Sequence, residues 1–167
     1  MAYRIVRTAW GWCGLIGERV KITRILLPVS TKAKMRRRIA RQAKEAEEDA
    51  AAFPVIVDQL KRYFAGKKVT WHWASIDLRG TPFQRRVWRA AMAIPYGETR
   101  SYGWIARRTG RRGAARAVGG AMARNPLPLI VTCHRVLRSD GGLGGFSAEE
   151  GVALKRKLLD LESKVGV

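Results

Sequence analysis

Two short helices joined by a tight turn are predicted in the second half of this 167-residue chain. The first begins at Thr99 or Ser101, the second spans residues 114–124, and Gly110 and Gly113 flank the turn between them. This pattern is typical of the helix-turn-helix of DNA-binding proteins.

The second of these helices carries few side chains that could read the edges of bases. Residues 114–122 read AARAVGGAM, in which Arg116 is the single long polar residue. A helix that reads the major groove normally presents several Gln, Asn, Arg or Ser side chains. The smooth surface favours close approach to a groove without sequence readout, with Arg116 inserted. The alternative is an Ala-rich helix packed in the core.

The charge balance points to a polyanionic partner. The chain has 33 Lys and Arg against 13 Asp and Glu, a net charge of +20. Self-repulsion of that size is hard to tolerate without an anion, and nucleic acid is the usual one. An anionic membrane surface would require a basic amphipathic helix or a lipidation signal, and neither is clear.

The arginines are concentrated in one segment. From Arg79 to Arg138 there are thirteen arginines, no lysine and a single acidic residue, Glu98. Because arginine pairs with phosphate through a planar fork, this segment favours a phosphate-binding surface. The alternative is a solvated face of a protein that uses arginine freely.

Other classes of protein are disfavoured. No apolar run approaches the roughly 20 residues of a membrane span, and the N-terminus lacks the pattern of a cleaved secretory signal. Two distant cysteines, Cys13 and Cys133, then favour a reducing, cytoplasmic setting over a disulfide scaffold. The two histidines, His72 and His134, lack paired ligand spacing, so no metal site is predicted.

The chain is predicted to form two domains, an α/β domain over residues 1–78 and a mainly helical domain over residues 79–167. The elements expected in the first domain are strands between residues 3 and 29, a helix from Ser30 or Thr31 through the mid-40s, a helix over 54–64 and a strand over 69–73. The second domain opens with a helix that Thr81 caps and Pro82 begins.

A Cys-His pair closes an apolar segment of the second domain. A strand is predicted to carry Cys133 and His134 to the end of residues 125–136. Adjacent strand residues point to opposite faces, so His134 would reach the Cys133 sulfur only through a bridging water. A thiol in apolar surroundings is normally protonated and inert, and the pair alone is more often structural than catalytic.

Several short motifs follow one another at characteristic spacings between Thr81 and Glu162, half of the chain. They are Phe83-Gln84 through Trp88, Ile94 through Thr99, Ser101-Tyr102, Ala114 through Met122, Asn125-Pro126 and Cys133 through Val136. In this combination they closely resemble the O6-alkylguanine-DNA alkyltransferases, also called methylated-DNA–protein-cysteine methyltransferases. The resemblance implies an N-terminal α/β domain followed by a mainly helical domain that holds the helix-turn-helix and the active site.

The resemblance also implies a reaction. Members of the family bind the minor groove of double-stranded DNA, turn the damaged base out of the stack and move its alkyl group irreversibly onto a cysteine. By match to the family's motifs, Cys133 is the acceptor, and His134 would draw its proton through a water and pass charge to Glu162. Each molecule would act once, as a monomer and without a cofactor.

Further roles are carried over by the same match. Tyr102 would help to rotate the nucleotide and support the base oxygen, Asn125 would position the cysteine segment, and Arg116 would fill the gap in the stack. The other DNA contacts implied are Ser101, Ala114, Ala115 and Arg135. The pocket residues implied are Pro128, Val136, Phe146 and Ser147.

Two positions depart from the family's pattern. Thr132 stands where the family usually has proline, which restores a backbone N–H, and Phe146 stands where many members have tyrosine.

Two alternative functions remain open. One is a non-catalytic protein that binds alkylated DNA and flags lesions, and the other is a basic helix-turn-helix DNA-binding module. The acceptor Cys133 argues against the first, and the smooth helix over 114–122 argues against the second.

Overall fold

The computed structural model describes residues 1–146 and 151–164, which form two compact units divided between Leu78 and Arg79. The first unit combines a sheet with helices and the second is mainly helical, so the predicted fold class is confirmed. Within the described residues, no helix is both long and apolar enough to span a bilayer.

The sheet of the first unit has four strands. They are β1 (Ala2–Thr8), β2 (Gly11–Glu18), β3 (Lys21–Val29) and β4 (Glu47–Glu48), in the order β3-β2-β1-β4. The pairs β1–β2 and β2–β3 are antiparallel, whereas β4 runs parallel to β1. The Thr8 hydroxyl donates to the Gly11 carbonyl at 2.9 Å and accepts from the Trp10 N–H at 3.2 Å, which closes the first turn.

Helix α1 (Lys32–Gln42) packs on β2 at a glycine. Met35 and Ile39, one turn apart on the helix, are buried. A Cβ placed on Gly14 would lie 2.8 Å from the Met35 sulfur and 3.1 Å from Ile39 Cδ1. The helix can therefore approach the strand this closely only because residue 14 has no side chain.

Helix α1 begins as predicted, since the Thr31 hydroxyl accepts from the Lys34 N–H at 3.2 Å. Its predicted continuation through the mid-40s is wrong. The chain leaves the helical conformation at Ala43 (φ −148°, ψ 68°), and the following acidic residues join the sheet as β4. The edge of β1 supplies hydrogen-bond partners for the backbone of this segment. Residues 43–49 therefore do not need further helical turns to satisfy their backbone groups.

Helix α2 (Pro54–Phe64) coincides with the predicted helix, and the predicted strand after it is wrong. Residues 69–72 are irregular and lead into a 3₁₀ turn (Trp73–Ser75). The Gln59 side chain makes the hydrogen bonds that a neighbouring strand would make. Its Nε2 donates to the Thr70 carbonyl at 2.6 Å, and its Oε1 accepts from the His72 N–H at 3.2 Å.

In its described residues, the second unit contains four α-helices and a two-stranded ladder. They are α3 (Pro82–Met92), β5 (Arg100–Ser101), α4 (Tyr102–Arg108), α5 (Ala115–Ala123), β6 (Val136–Leu137) and α6 (Val152–Ser163), with β5 parallel to β6. Helix α3 begins as predicted in a capping box, in which the side chains of Thr81 and Gln84 each accept from the other's backbone N–H. Buried Trp88 joins α3 to α5 by donating from Nε1 to the Ala121 carbonyl at 2.9 Å.

Helices α4 and α5 form the predicted helix-turn-helix. Of the two candidate caps, Ser101 is the one used, and its hydroxyl accepts from the Trp104 N–H at 3.0 Å. Gly110 and Gly113 have φ of 77° and 78°, the left-handed conformation that the turn requires and glycine adopts readily.

Candidate active site

The Cys-His pair lies on a 3₁₀ turn, not on the predicted strand. The turn spans Cys133–Arg135 and follows Leu129, which has a φ of 76°. The segment folds back on itself because the Asn125 side chain organises it. Asn125 Oδ1 accepts from the Leu127 N–H at 2.9 Å, and Nδ2 donates to the Val131 carbonyl at 3.0 Å.

The Cys133 thiol is held by the same amide. Asn125 Nδ2 also donates to Cys133 Sγ at 3.2 Å, and Cys133 is 9 % exposed. Burial raises the pKa of Cys133, while the hydrogen bond from Asn125 and the charge of Lys155 act in the opposite direction. The thiol is therefore protonated at rest, and the groups around it favour the thiolate once a base removes the proton.

His134 and Glu162 form a buried pair, although 28 residues separate them. His134 Nε2 lies 2.6 Å from Glu162 Oε1, and both side chains are essentially inaccessible to solvent. Burial lowers the pKa of His134, so the imidazole is neutral near pH 7. An ionised carboxylate only accepts hydrogen bonds, so Nε2 carries the ring proton and Nδ1 is the basic nitrogen.

Arg135 completes this cluster from the other side of Glu162. Its Nε donates to Oε2 at 2.8 Å, its Nη2 donates to Oε1 at 2.9 Å, and its Nη1 donates to the Ile94 carbonyl at 2.7 Å. Burial raises the pKa of Glu162, but the hydrogen bonds from His134 and Arg135 outweigh burial and bring it well below its usual range. The carboxylate is therefore ionised beside His134.

Arg135, which was predicted to contact DNA, is buried in this structure. Arg135 is 6 % exposed, and its guanidinium is engaged by Glu162 and by the Ile94 carbonyl. The ring of Tyr96 covers it at 5.4 Å. An arginine held in this way fixes the carboxylate of Glu162.

Lys155 is a residue of the site that sequence reasoning missed. Its Nζ donates to the Val136 carbonyl at 2.6 Å and to the Leu143 carbonyl at 2.5 Å, and the residue is fully buried. Burial lowers the pKa of Lys155, whereas the nearby Cys133 raises it. Its position seven residues before Glu162 places both on one side of α6. This seven-residue spacing is the one feature of the sequence that links Lys155 to Glu162. It is hard to recognise because Lys155 is followed directly by two other basic residues, Arg156 and Lys157.

Tyr102 faces the same cluster from the start of α4. Its ring lies 5.8 Å from Lys155 Nζ, and a Cβ on Gly144 would approach its hydroxyl to 3.0 Å. Burial, followed by the charge of Cys133, raises the pKa of Tyr102. The phenol therefore keeps its proton and can donate it. The structure thus brings Tyr102, Asn125, Cys133, His134 and Glu162 together, with Lys155 among them.

Thr132, where the family usually has proline, makes a contact that proline could not make. Its buried hydroxyl donates to the Ala91 carbonyl at the end of α3. The residue before Cys133 is therefore tied to a neighbouring helix by a side-chain hydrogen bond.

The residues predicted to line a substrate pocket lie in different surroundings. Val136 is fully buried at the start of β6, whereas Pro128 and Phe146 are half-buried. Ser147 lies outside the described residues.

The other residues predicted to contact DNA lie on the helix-turn-helix. Ala115 and Arg116 are exposed in the first turn of α5, and Ala114 precedes them as the cap residue. Ser101 uses its hydroxyl to cap α4. Contacts of these four residues with DNA stay predictions.

Among residues 1–146 and 151–164, no group of three or more His, Cys, Asp or Glu side chains could hold a metal ion.

Comparison with known proteins identifies the family. Residues 82–164 match the family described as "6-O-methylguanine DNA methyltransferase, DNA binding domain". A methylated-DNA–protein-cysteine methyltransferase of Mycobacterium bovis is 54% identical over 114 residues, 68% of this chain and 67% of that protein. The crystal structure of the Mycobacterium tuberculosis O6-methylguanine methyltransferase is similar with a TM-score of 0.84 at 41% identity, covering 99% of this chain and 94% of that one. The Mycobacterium tuberculosis OGT in complex with DNA gives a TM-score of 0.83 at 41% identity, with 98% and 93% covered. The chain belongs to the family of methylated-DNA–protein-cysteine methyltransferases.

Proposed function

We propose that this protein repairs double-stranded DNA by moving the alkyl group of an O6-alkylguanine onto Cys133, once per molecule. The observation that carries the proposal is the buried His134–Glu162 pair, which adjoins a thiol that Asn125 holds in place. The same arrangement favours an alkyl acceptor over a non-catalytic lesion-binding protein, which needs no activated sulfur.

The first step is removal of the thiol proton. His134 takes it on Nδ1, through a bridging water, and becomes an imidazolium whose charge the Glu162 carboxylate stabilises. Glu162 keeps its own negative charge, because Arg135 donates two hydrogen bonds to it. The amide of Asn125 and the ammonium of Lys155 stabilise the thiolate that remains.

The second step is an in-line displacement at the alkyl carbon. The thiolate forms the sulfur–carbon bond while the carbon–O6 bond breaks, and guanine leaves with the electron pair. Negative charge develops on the departing purine and requires a hydrogen-bond donor. Tyr102 supplies one, because its hydroxyl is protonated beside the thiol. The product is a thioether, which no side chain of the site can cleave, so the protein is consumed.

Access to the base requires that it leave the stack. The target oxygen is unreachable inside a duplex, and an alkylated base costs less to extrude. The small residues of α5 let the helix enter the minor groove, and exposed Arg116 fills the space that the base vacates. We expect one monomer to suffice for this step. The nucleophile and leaving group supply all the electrons of the reaction, so no cofactor is needed.

The experiment that tests the proposal is intact-protein mass spectrometry after incubation with a duplex that contains O6-methylguanine. We expect a gain of one methyl group that maps to Cys133 and disappears in Cys133→Ala. Cys13→Ala is the matched control, because burial raises the pKa of Cys13 to about 12 and leaves that thiol inert. Binding of the lesion without a gain in mass would refute the transfer.

A further inference from the structure

Helix α1 of the first unit carries a row of exposed cations that the proposed reaction does not use. Lys34, Arg37 and Arg41 lie at positions i, i+3 and i+7, on one side of the helix, and all three are exposed. We name these three residues the basic ridge. Beside them, Ala33 and Ala40 are exposed as well, so a partner can approach the helix closely.

The opposite flank of α1 has its own counter-charge. Arg36 lies 2.8 Å from the Glu48 carboxylate, and Lys32 lies 3.7 Å from it. The eleven residues of α1 include no acid. No residue of the helix can therefore compensate the basic ridge at i±3 or i±4 spacing.

The basic ridge weakens the helix that carries it. Arg37 and Arg41 are like charges at i, i+4 spacing, and Lys34 places positive charge near the helix N-terminus, against the helix dipole. An anion bound along the ridge relieves both effects.

We propose that the basic ridge binds the phosphate backbone of duplex DNA, as a contact additional to the helix-turn-helix. The choice of ligand rests on the proposed function. A helix that lies in the membrane interface offers an apolar face to the bilayer, whereas Met35 and Ile39 of α1 are buried against the sheet. The ridge therefore presents charge without an insertable face, which suits phosphates.

The dimensions of the basic ridge fit a nucleic-acid strand. From Lys34 to Arg41 the helix rises about 10 Å, at roughly 1.5 Å per residue. Phosphates of one strand succeed one another at about 3.4 Å along the duplex axis, so the ridge spans about three of them. Three cations thus face about three phosphates.

The test compares the affinity of two full-length variants for an unmodified duplex over a range of salt concentrations. The ridge variant is Lys34→Gln/Arg37→Gln/Arg41→Gln, in which glutamine preserves helix propensity. The matched control is Lys61→Gln/Lys67→Gln/Lys68→Gln, which removes three exposed charges from the same unit. We expect the ridge variant to bind about tenfold more weakly at 0.1 M salt, with a salt slope shallower by about 2 to 3. The control should change the affinity by less than about twofold.

Two outcomes would overturn the proposal. Equal losses in both variants would mean that total charge matters and its position does not. Unchanged DNA affinity of the ridge variant, with loss of binding to phosphatidylserine vesicles, would assign the ridge to a membrane. Methyl transfer to Cys133 by the unmodified protein is measured in parallel. Its absence would refute the proposed function, while the comparison of DNA affinities would still decide the role of the ridge.

Discussion

The carboxylate of Glu162 is the group whose replacement tests the proposed proton transfer most directly. Its Oε1 faces donors on His134 and Arg135, and its Oε2 faces Arg135 Nε at 2.8 Å and the Gly97 N–H at 3.4 Å. In Glu162→Gln one oxygen becomes an NH₂ group, which is itself a donor. Because each oxygen of Glu162 accepts from two donors, the NH₂ group faces two donors in either orientation of the amide. One orientation presents an N–H to His134 Nε2, so that the ring proton moves to Nδ1.

The size of the effect follows from the histidine tautomer. With its proton on Nδ1, His134 cannot take the thiol proton. In serine proteases the equivalent change, from Asp to Asn, lowers kcat by about 10⁴ with the geometry intact. A thiol is more acidic than a hydroxyl and depends less on its base, so we expect the transfer rate to fall by about 10² to 10³. The variant also leaves Arg135 buried without its carboxylate, so the free energy of unfolding should fall by about 3 to 5 kcal/mol.

The assay is single-turnover transfer of a labelled methyl group from duplex DNA to Cys133, at a temperature where circular dichroism shows the variant folded. Asp160→Asn is the matched control, because Asp160 is an exposed carboxylate on the same helix. Its transfer rate should stay within about twofold of the unmodified protein, as is usual for a surface change. A folded Glu162→Gln that transfers at the rate of the control would refute the proton-transfer argument.

The remaining predictions concern the Thr132 hydroxyl, the Lys155 cation and acid stability. Thr132→Val removes the hydrogen bond to the Ala91 carbonyl, so the free energy of unfolding in urea should fall by about 1 to 3 kcal/mol; an unchanged midpoint would contradict this. Lys155→Met removes the positive charge that lowers the Cys133 pKa, so transfer should slow at pH 7 and recover as the pH rises; an unchanged pH profile would show that Lys155 acts only by packing. The Glu162 pKa is lower in the folded than in the unfolded protein, so its contribution to stability is present above about pH 4.3 and is lost as the pH falls below that value. Acid unfolding followed by circular dichroism should show this loss, and Glu162→Gln should remove it.

Much of the fold could be predicted because its signals are local. The caps at Thr31, Thr81 and Ser101 form hydrogen bonds within three residues of the chain, so the sequence displays both partners. The glycines of the helix-turn-helix are equally local. The strand over 69–73 was mispredicted for the opposite reason, because the Gln59 amide that replaces a neighbouring strand lies eleven residues away.

In the candidate site, too, the features with local signals could be predicted and those that depend on distant residues could not. The sequence by itself determined the residue types and their order, through motifs that resemble those of the family. Cys133, His134 and Asn125 lie within nine residues of one another, so their grouping could be predicted. Only the tertiary structure decided that Cys133 lies on a 3₁₀ turn, since that turn depends on how the Asn125 side chain bonds the backbone.

Tertiary structure alone also decided the electrostatics around the thiol. Arg135 follows His134 in a basic segment and was predicted to contact DNA, yet it is buried against a carboxylate 27 residues away. Lys155 lies among other basic residues of α6, and only its bonds to two distant carbonyls distinguish it. A local pattern shows which charges a segment carries. Whether each charge meets water, a phosphate or a buried carboxylate depends on which distant segments pack against it.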